Sequence, residues 1–119
     1  MTSPNRTPLQ APLSTPVFQI LLSLVDGDAH GYALIQDIRR RTDGEVSLTA
    51  STLYAAVKRM LAAGWIAEVK KPANEDPRRR YYRITPAGRD AARVEAARLE
   101  RLTVMARERR LLPGVRRAR

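Results

Sequence analysis

No cysteine occurs anywhere in the 119 residues, which excludes disulfides and thiol chemistry and fits a reducing, cytoplasmic setting. Histidine is nearly as scarce. His30 is the only one, and it suits a turn or a helix cap better than the work of a catalytic base. The carboxylates are scattered, with no metal-ligand spacing and no HExxH-type pair, and the glycines form no phosphate-binding loop. No metal or cofactor is therefore expected, and no constellation supports an enzyme. Long apolar runs are missing too. The stretch Val17–Val25 is too short to span a bilayer and is broken by Gln19 and Ser23. With no basic leader close before it and no small-residue cleavage site, it does not read as a signal peptide either.

What the chain has in excess is positive charge. Lysine and arginine number 22 against 12 acidic residues, a net +10, and the excess is unevenly placed. Residues 1–69 carry six side chains of each sign, and residues 84–119 carry ten arginines against four acids. Between them, Lys70, Lys71, Arg78, Arg79, Arg80 and Arg83 face only Glu75 and Asp76. Charge gathered in two segments suits a polyanionic partner better than a generally basic, solubilising surface would. The length allows one domain with a modest core.

Residues 1–13, with Pro4, Pro8 and Pro12 among small polar residues, read as a flexible arm. A first helix is expected near Ser14-Thr15-Pro16, where a polar cap precedes an early proline. Val17, Phe18, Ile20, Leu21, Leu22, Leu24 and Val25 cover most of its circumference, so it is expected to be buried on more than one side, with a partner subunit as the second cover. After the turn Asp26-Gly27-Asp28-Ala29, either Asp28 or His30 is placed to cap a second helix over about 30–42. Its apolar face is Leu34, Ile35 and Ile38, and Arg39, Arg40 and Arg41 sit at the negative end of the helix dipole. Asp43-Gly44 ends it, and Glu45–Leu48 is expected as a short strand.

The segment Leu48–Gly88 is the most informative. Thr49 caps a third helix over about 50–63, which Gly64 ends in the left-handed conformation. Leu53, Val57, Met60 and Leu61 fall on one side at the helical period, and Ser51, Ala55, Lys58, Arg59 and Ala62 on the other. Strand signals follow at Trp65–Lys71 and Arg80–Ile84, separated by the proline-rich loop Pro72–Pro77. Arg80, Tyr82 and Ile84 share one side of the second strand, Tyr81 and Arg83 the other, and alternation alone leaves open which tyrosine is core. Trp65 is expected to plug the core. Thr85-Pro86 then starts a final helix that could reach Leu111 before Pro113-Gly114, some 26 residues or roughly 39 Å. Ala92, Ala96, Leu99, Leu102 and Ala106 line one of its faces, and Asp90–Arg93 and Glu95–Arg98 form favourable i,i+3 pairs.

Helix, strand, charged turn and strand in that order describe a winged helix-turn-helix, mainly α with a small β-hairpin, to which a long C-terminal dimerisation helix is added. The domain boundaries expected are 1–13 for the arm, 14–88 for the winged helix, 89–112 for the dimerisation helix and 113–119 for a basic tail. The third helix is built to read DNA. Its outward face is small and polar, Ser51 and Thr52 can meet phosphates or base edges at its positive end, and Lys58 and Arg59 can reach the backbone. Tyr54 lies at the border of the two faces, so its ring can pack while its hydroxyl meets a phosphate. Arg78, Arg79 and Arg80 at the wing exit present guanidinium groups to a minor groove or phosphate strand. The DNA-contacting set is therefore Thr49, Ser51, Thr52, Tyr54, Lys58, Arg59, Arg78, Arg79, Arg80 and Tyr82. The expected dimer contacts are Phe18, Leu21, Leu22, Leu99, Leu102 and Ala106.

Four ordered motifs, Gly31-Tyr32-Ala33-Leu34-Ile35, Ser51-Thr52-Leu53-Tyr54, Ala63-Gly64-Trp65-Ile66 and Arg79-Arg80-Tyr81-Tyr82-Arg83-Ile84-Thr85-Pro86-Ala87-Gly88, resemble the PadR family of transcriptional regulators over about residues 14–105. The resemblance implies a dimeric winged-helix repressor that binds inverted repeats in double-stranded DNA, with release by a small aromatic or amphipathic ligand. It carries DNA contacts onto Thr52 and Tyr54 and the wing strand onto Arg79–Tyr82. Two departures from the family pattern stand out: Ala50-Ser51 stand where proline-glycine is common, and Ala55 where proline follows the tyrosine. The alternatives are an architectural or protein-interaction module that binds nucleic acid without selection, and a small-molecule-binding protein with vestigial DNA contacts.

Overall fold

The structure, a computed structural model, describes residues 12–70 and 76–113. The expected arm up to residue 11, the loop residues 71–75 and the basic tail from residue 114 lie outside the described residues. Helix α1 (Thr15–Val25) leads into a two-residue strand β1 (Ala29–His30), then α2 (Gly31–Arg41) and α3 (Ala50–Ala63). Strands β2 (Ile66–Val69) and β3 (Tyr81–Ile84) form the wing, and α4 (Pro86–Glu108) follows. The sheet has the order β1-β3-β2 and is antiparallel throughout, with Ile66 opposite Ile84 and Ala29 opposite Tyr82.

Each helix begins where a polar side chain meets an orphan amide. Ser14 accepts from Val17, His30 Nδ1 from Ala33, Thr49 from Thr52 and Thr85 from Gly88. Gly64, at φ 79°, ends α3 in the left-handed region while the Trp65 N–H reaches back to the Met60 carbonyl at 3.0 Å.

The core joins Ile20, Leu21 and Leu24 of α1, Leu34 and Ile38 of α2, and Leu53, Val57 and Met60 of α3. Ile66, Tyr82 and Ile84 close it from the sheet, and Ala92 from α4. A polar clasp fastens α1 to α2. Ser23, buried, donates to Asp37 at 2.6 Å, and Arg41 donates to Ser23 at 2.6 Å and to the Gln19 side chain at 2.8 Å.

Three expectations are corrected. Glu45–Leu48 forms no strand: Val46 N–H is taken by the Thr42 hydroxyl at 3.0 Å, and Val46 and Leu48 pack against the core from an irregular link. The third strand is β1 instead, too short to show alternation in the sequence. Leu61, placed with the buried face of α3, is exposed, and Ala56 takes its position in the core. Helix α4 stops at Glu108, short of Leu111, because Arg110 turns to φ 63°.

The root of α4 is fixed by close contact. Thr85 N–H donates to the Trp65 carbonyl at 3.0 Å and its hydroxyl to the Gly64 carbonyl at 2.6 Å. A Cβ on Gly88 would collide with that same Trp65 carbonyl. Further along, Glu95 is only 2% exposed. It accepts from Arg98 at 2.6 and 3.0 Å and from the Leu13 N–H at 3.3 Å, so the expected i,i+3 pair is also an anchor for the chain entering α1.

Both the junction and the buried carboxylates can be tested. Gly88→Ala pushes backbone against backbone and should cost about 1–3 kcal/mol, read as a lowered urea midpoint; an unchanged midpoint would show that the junction can yield. The carboxylates respond to acid. Bonding to Arg98 holds the Glu95 carboxyl below its usual range despite burial, and the Ser23 hydroxyl and Arg41 do the same for Asp37. Depressed carboxylates contribute stability that is present above their unfolded values and is lost as pH falls through the folded ones. Stability should therefore fall below about pH 4, and Glu95→Gln, weaker at neutral pH, should show a shallower acid limb.

Candidate nucleic-acid interface

Helix α3 turns Leu53, Ala56, Val57 and Met60 inward, which leaves Ser51, Thr52, Tyr54, Ala55, Lys58, Arg59 and Ala62 exposed. Small residues on that face permit close approach to a groove, and the two basic residues lie one turn beyond Tyr54. Thr49 has a structural duty: its hydroxyl accepts the Thr52 N–H at 3.1 Å and lies 3.0 Å from the Thr52 hydroxyl. Ser51 and Thr52 therefore occupy the first turn, where uncapped amides concentrate positive potential.

Tyr54 is 47% exposed, and its phenol lies over the first residue of α2. Gly31 makes this possible, because a Cβ there would collide with the Tyr54 hydroxyl. The neighbouring residue, His30, caps α2 through Nδ1 and places Nε2 2.8 Å from Arg79 NH1. A continuous path thus runs from α3 through the start of α2 to the wing. It links Tyr54 to Arg79 through Gly31 and His30, although 25 positions separate them in the sequence.

The other wing arginines have acidic neighbours on the protein. Arg80 pairs with Glu68 across the hairpin at 3.2 Å, and Arg78 pairs with Asp76 at 3.2 Å. These are exposed pairs, worth roughly 0–1 kcal/mol each, so phosphate can displace them cheaply. Arg83 behaves differently. It clamps Asp28 at 2.8 Å, joining β3 to the turn before β1, and this contact holds the Asp28 carboxyl below its usual range.

One expected contact is withdrawn. Tyr82 is 3% exposed; its ring belongs to the core with Ile84 and offers almost no surface to DNA. Sequence reasoning missed His30 and Gly31 as supports of the interface. The signal was the pair itself, a lone histidine beside a glycine at a helix start, but the partners, Tyr54 and Arg79, are distant in sequence.

On the opposite side, α4 buries only Gly88, Ala92 and Glu95. Beyond Arg98, Leu99, Leu102, Val104 and Met105 are exposed, and Ala106 is half-buried. Phe18 and Leu22 of α1 are half-buried. Leu21 is corrected: at 0% exposure it lies wholly in the core of its own chain and has no surface to offer a partner. Among the described residues no helix is long and apolar enough to cross a membrane.

An exposed polar helix, presented by α2 and flanked by a basic two-stranded wing, defines a winged helix-turn-helix of the DNA-binding kind. The chain matches the transcriptional regulator PadR-like family over residues 20–94 and belongs to that family, one of transcriptional regulators rather than enzymes. It is similar to a transcriptional regulator from Clostridium thermocellum, with 31% identity and a TM-score of 0.69 over 78% of this chain and 87% of that one. A PadR family transcription regulator from Clostridium difficile shares the fold at TM-score 0.70 and 24% identity, over 80% of this chain and 97% of that one. An uncharacterized protein X from Lysinibacillus sphaericus is 31% identical over 59% of this chain, which spans 64% of that relative's length.

Gly31→Ala gives the test of the Tyr54 support. The obstacle is the end of a side chain rather than backbone, so the fold should tolerate it at a cost of about 1 kcal/mol while Tyr54 is displaced. DNA affinity should fall more than stability does. Equal affinity for the two proteins would remove Tyr54 from the interface.

Proposed function

We propose that this transcriptional regulator is a sequence-specific, dimeric repressor acting in the cytoplasm. The observation that carries the reading is the contact path joining the exposed face of α3 to the wing, which makes helix and wing one surface. Helix α3 enters the major groove with Ser51, Thr52 and Tyr54 near the bases and Lys58 and Arg59 toward the phosphates. Thr49 caps the helix at the groove edge, and Arg78, Arg79 and Arg80 reach the adjoining backbone or minor groove.

The open apolar face of α4, with Leu99, Leu102 and Ala106, together with Phe18 and Leu22 of α1, supports a homodimer. In that reading residues 14–88 form the DNA-binding unit and residues 89–112 the dimerisation helix. A two-fold dimer presents two copies of α3 to an inverted repeat, about 34–36 Å apart. Release by a small aromatic or amphipathic ligand is the family's habit, and it requires the ligand to favour a dimer whose helix spacing does not match the operator.

Fluorescence-anisotropy titration onto duplex from the region upstream of its own gene, beside a scrambled duplex, tests the reading at several salt concentrations. The expected preference is about 10³-fold or more. Arg79→Ala with Arg80→Ala should weaken binding to every sequence and reduce the log–log salt slope by about 1 for each phosphate no longer neutralised. An unchanged affinity and slope would detach the wing from DNA. Equal binding to all duplexes, selected pools included, would favour the non-selective architectural module.

A further inference from the structure

His30 stands where the two halves of the interface meet, with a hydrogen-bond donor in front of each ring nitrogen. Nδ1 lies 3.1 Å from the Ala33 amide that it caps, and Nε2 lies 2.8 Å from Arg79 NH1. A backbone amide and a guanidinium can only donate, whereas a neutral imidazole has one N–H and one acceptor nitrogen. Two donors therefore compete for a single lone pair. With the lone pair on Nδ1 the cap of α2 forms and Nε2–H confronts the guanidinium. With it on Nε2 Arg79 is held and the cap is given up. An imidazolium can accept from neither and sets a second positive charge beside Arg79.

The surroundings bear on the charge. The Tyr81 ring of β3 meets His30 edge-on at 5.2 Å, and the Tyr54 hydroxyl of α3 approaches at Gly31. On β3 and in the turn before β1, Arg83 and Asp28 pair with each other at 2.8 Å. Arg79, in direct contact with the ring, is thus a cation whose position depends on the state of the imidazole.

We propose that His30 is a positioning residue for DNA contact: the neutral tautomer with its lone pair on Nε2 retains Arg79 on the protein, and the imidazolium releases Arg79 to phosphate and adds its own charge to the wing. DNA binding then takes up a proton, and affinity rises as pH falls. The inference rests on the reading of the wing as a DNA-contacting element. The composition isolates the effect, because with one histidine and no cysteine the groups whose ordinary charge change falls between about pH 5 and 8 are His30 and the α-amino group.

The experiment is anisotropy titration of the full chain onto a labelled mixed-sequence duplex at fixed ionic strength, from about pH 8 to about pH 5.5. The wild-type Kd should fall about three- to tenfold, with up to one proton taken up per chain. His30→Asn keeps a side-chain oxygen for the Ala33 amide but cannot titrate, so its Kd should move less than about twofold. A flat wild-type profile, or a pH dependence retained by His30→Asn, overturns the role of His30. Should His30→Asn fail to fold, Arg79→Ala decides: with no guanidinium to release, its pH dependence should fall below the wild type's, and an undiminished one overturns the proposal. Arg79→Ala also separates the two readings. Weaker binding and a lower salt slope at about pH 8 keep the wing on DNA whatever His30 does, and unchanged binding removes both.

Discussion

The carbonyl of Trp65 and the first turn of α4 occupy nearly the same space, and the arrangement of the whole domain depends on their being able to do so. Gly88 has no Cβ to obstruct the approach, and Thr85 binds the end of α3 twice, through its amide to Trp65 and its hydroxyl to Gly64. At this one point α3 ends, β2 begins, β3 finishes and α4 departs. The ladder between Ile66 and Ile84 starts from the junction, so the wing's direction is set there too. A looser contact would leave the reading helix and the wing free to choose separate angles, and a bipartite surface would not exist.

Electrostatics divides the molecule by task. Carboxylates that hold the scaffold have multiple partners, some of them short: Asp37 with Ser23, Arg40 and Arg41, and Glu95 with Arg98 and the Leu13 amide. Pairs at the wing are longer and exposed, as between Arg80 and Glu68. Glu95, at 2% exposure, resists exchange most strongly, because a buried charge left alone is costly. The wing pairs yield readily to phosphate, which offers a denser negative charge. The sequence contains both as arginines near acids, and only the distances and burial tell them apart.

Legibility followed the same division. Helices with local end signals were readable almost to the residue: Thr49 and Gly64 bound α3, Ser14 opens α1 and Thr85 opens α4, each through a bond spanning a few positions. The wing was readable because a proline-rich loop separates two short strand signals, and the family likeness added the order of the motifs. What failed was non-local. β1 is two residues long and exists only because β3 has a free edge beside it. Tyr82 and Tyr81 alternate equally well in either register, and the core decides between them. Glu95 resembles its solvated neighbours along α4 until Leu13 is laid against it. Leu21 and Leu22 are adjacent in an apolar run, and packing against α2 and α3 buries one while leaving the other half-covered.

Helix α4 has 23 residues and buries only its first three turns, so it is a beam held at one end. At ~1.5 Å per residue it is about 34 Å long, comparable with the separation of successive major grooves. A tilt of about 10° at the clamp near Gly88 would swing the free end by about 6 Å over that length. In the proposed dimer the arithmetic also runs in reverse: small slips where two free ends meet are geared down before they reach α3, while a small rotation at the clamp is geared up. The place to retune the span between two reading helices is therefore the root of the beam, and its far end is the more forgiving place for sequence to vary.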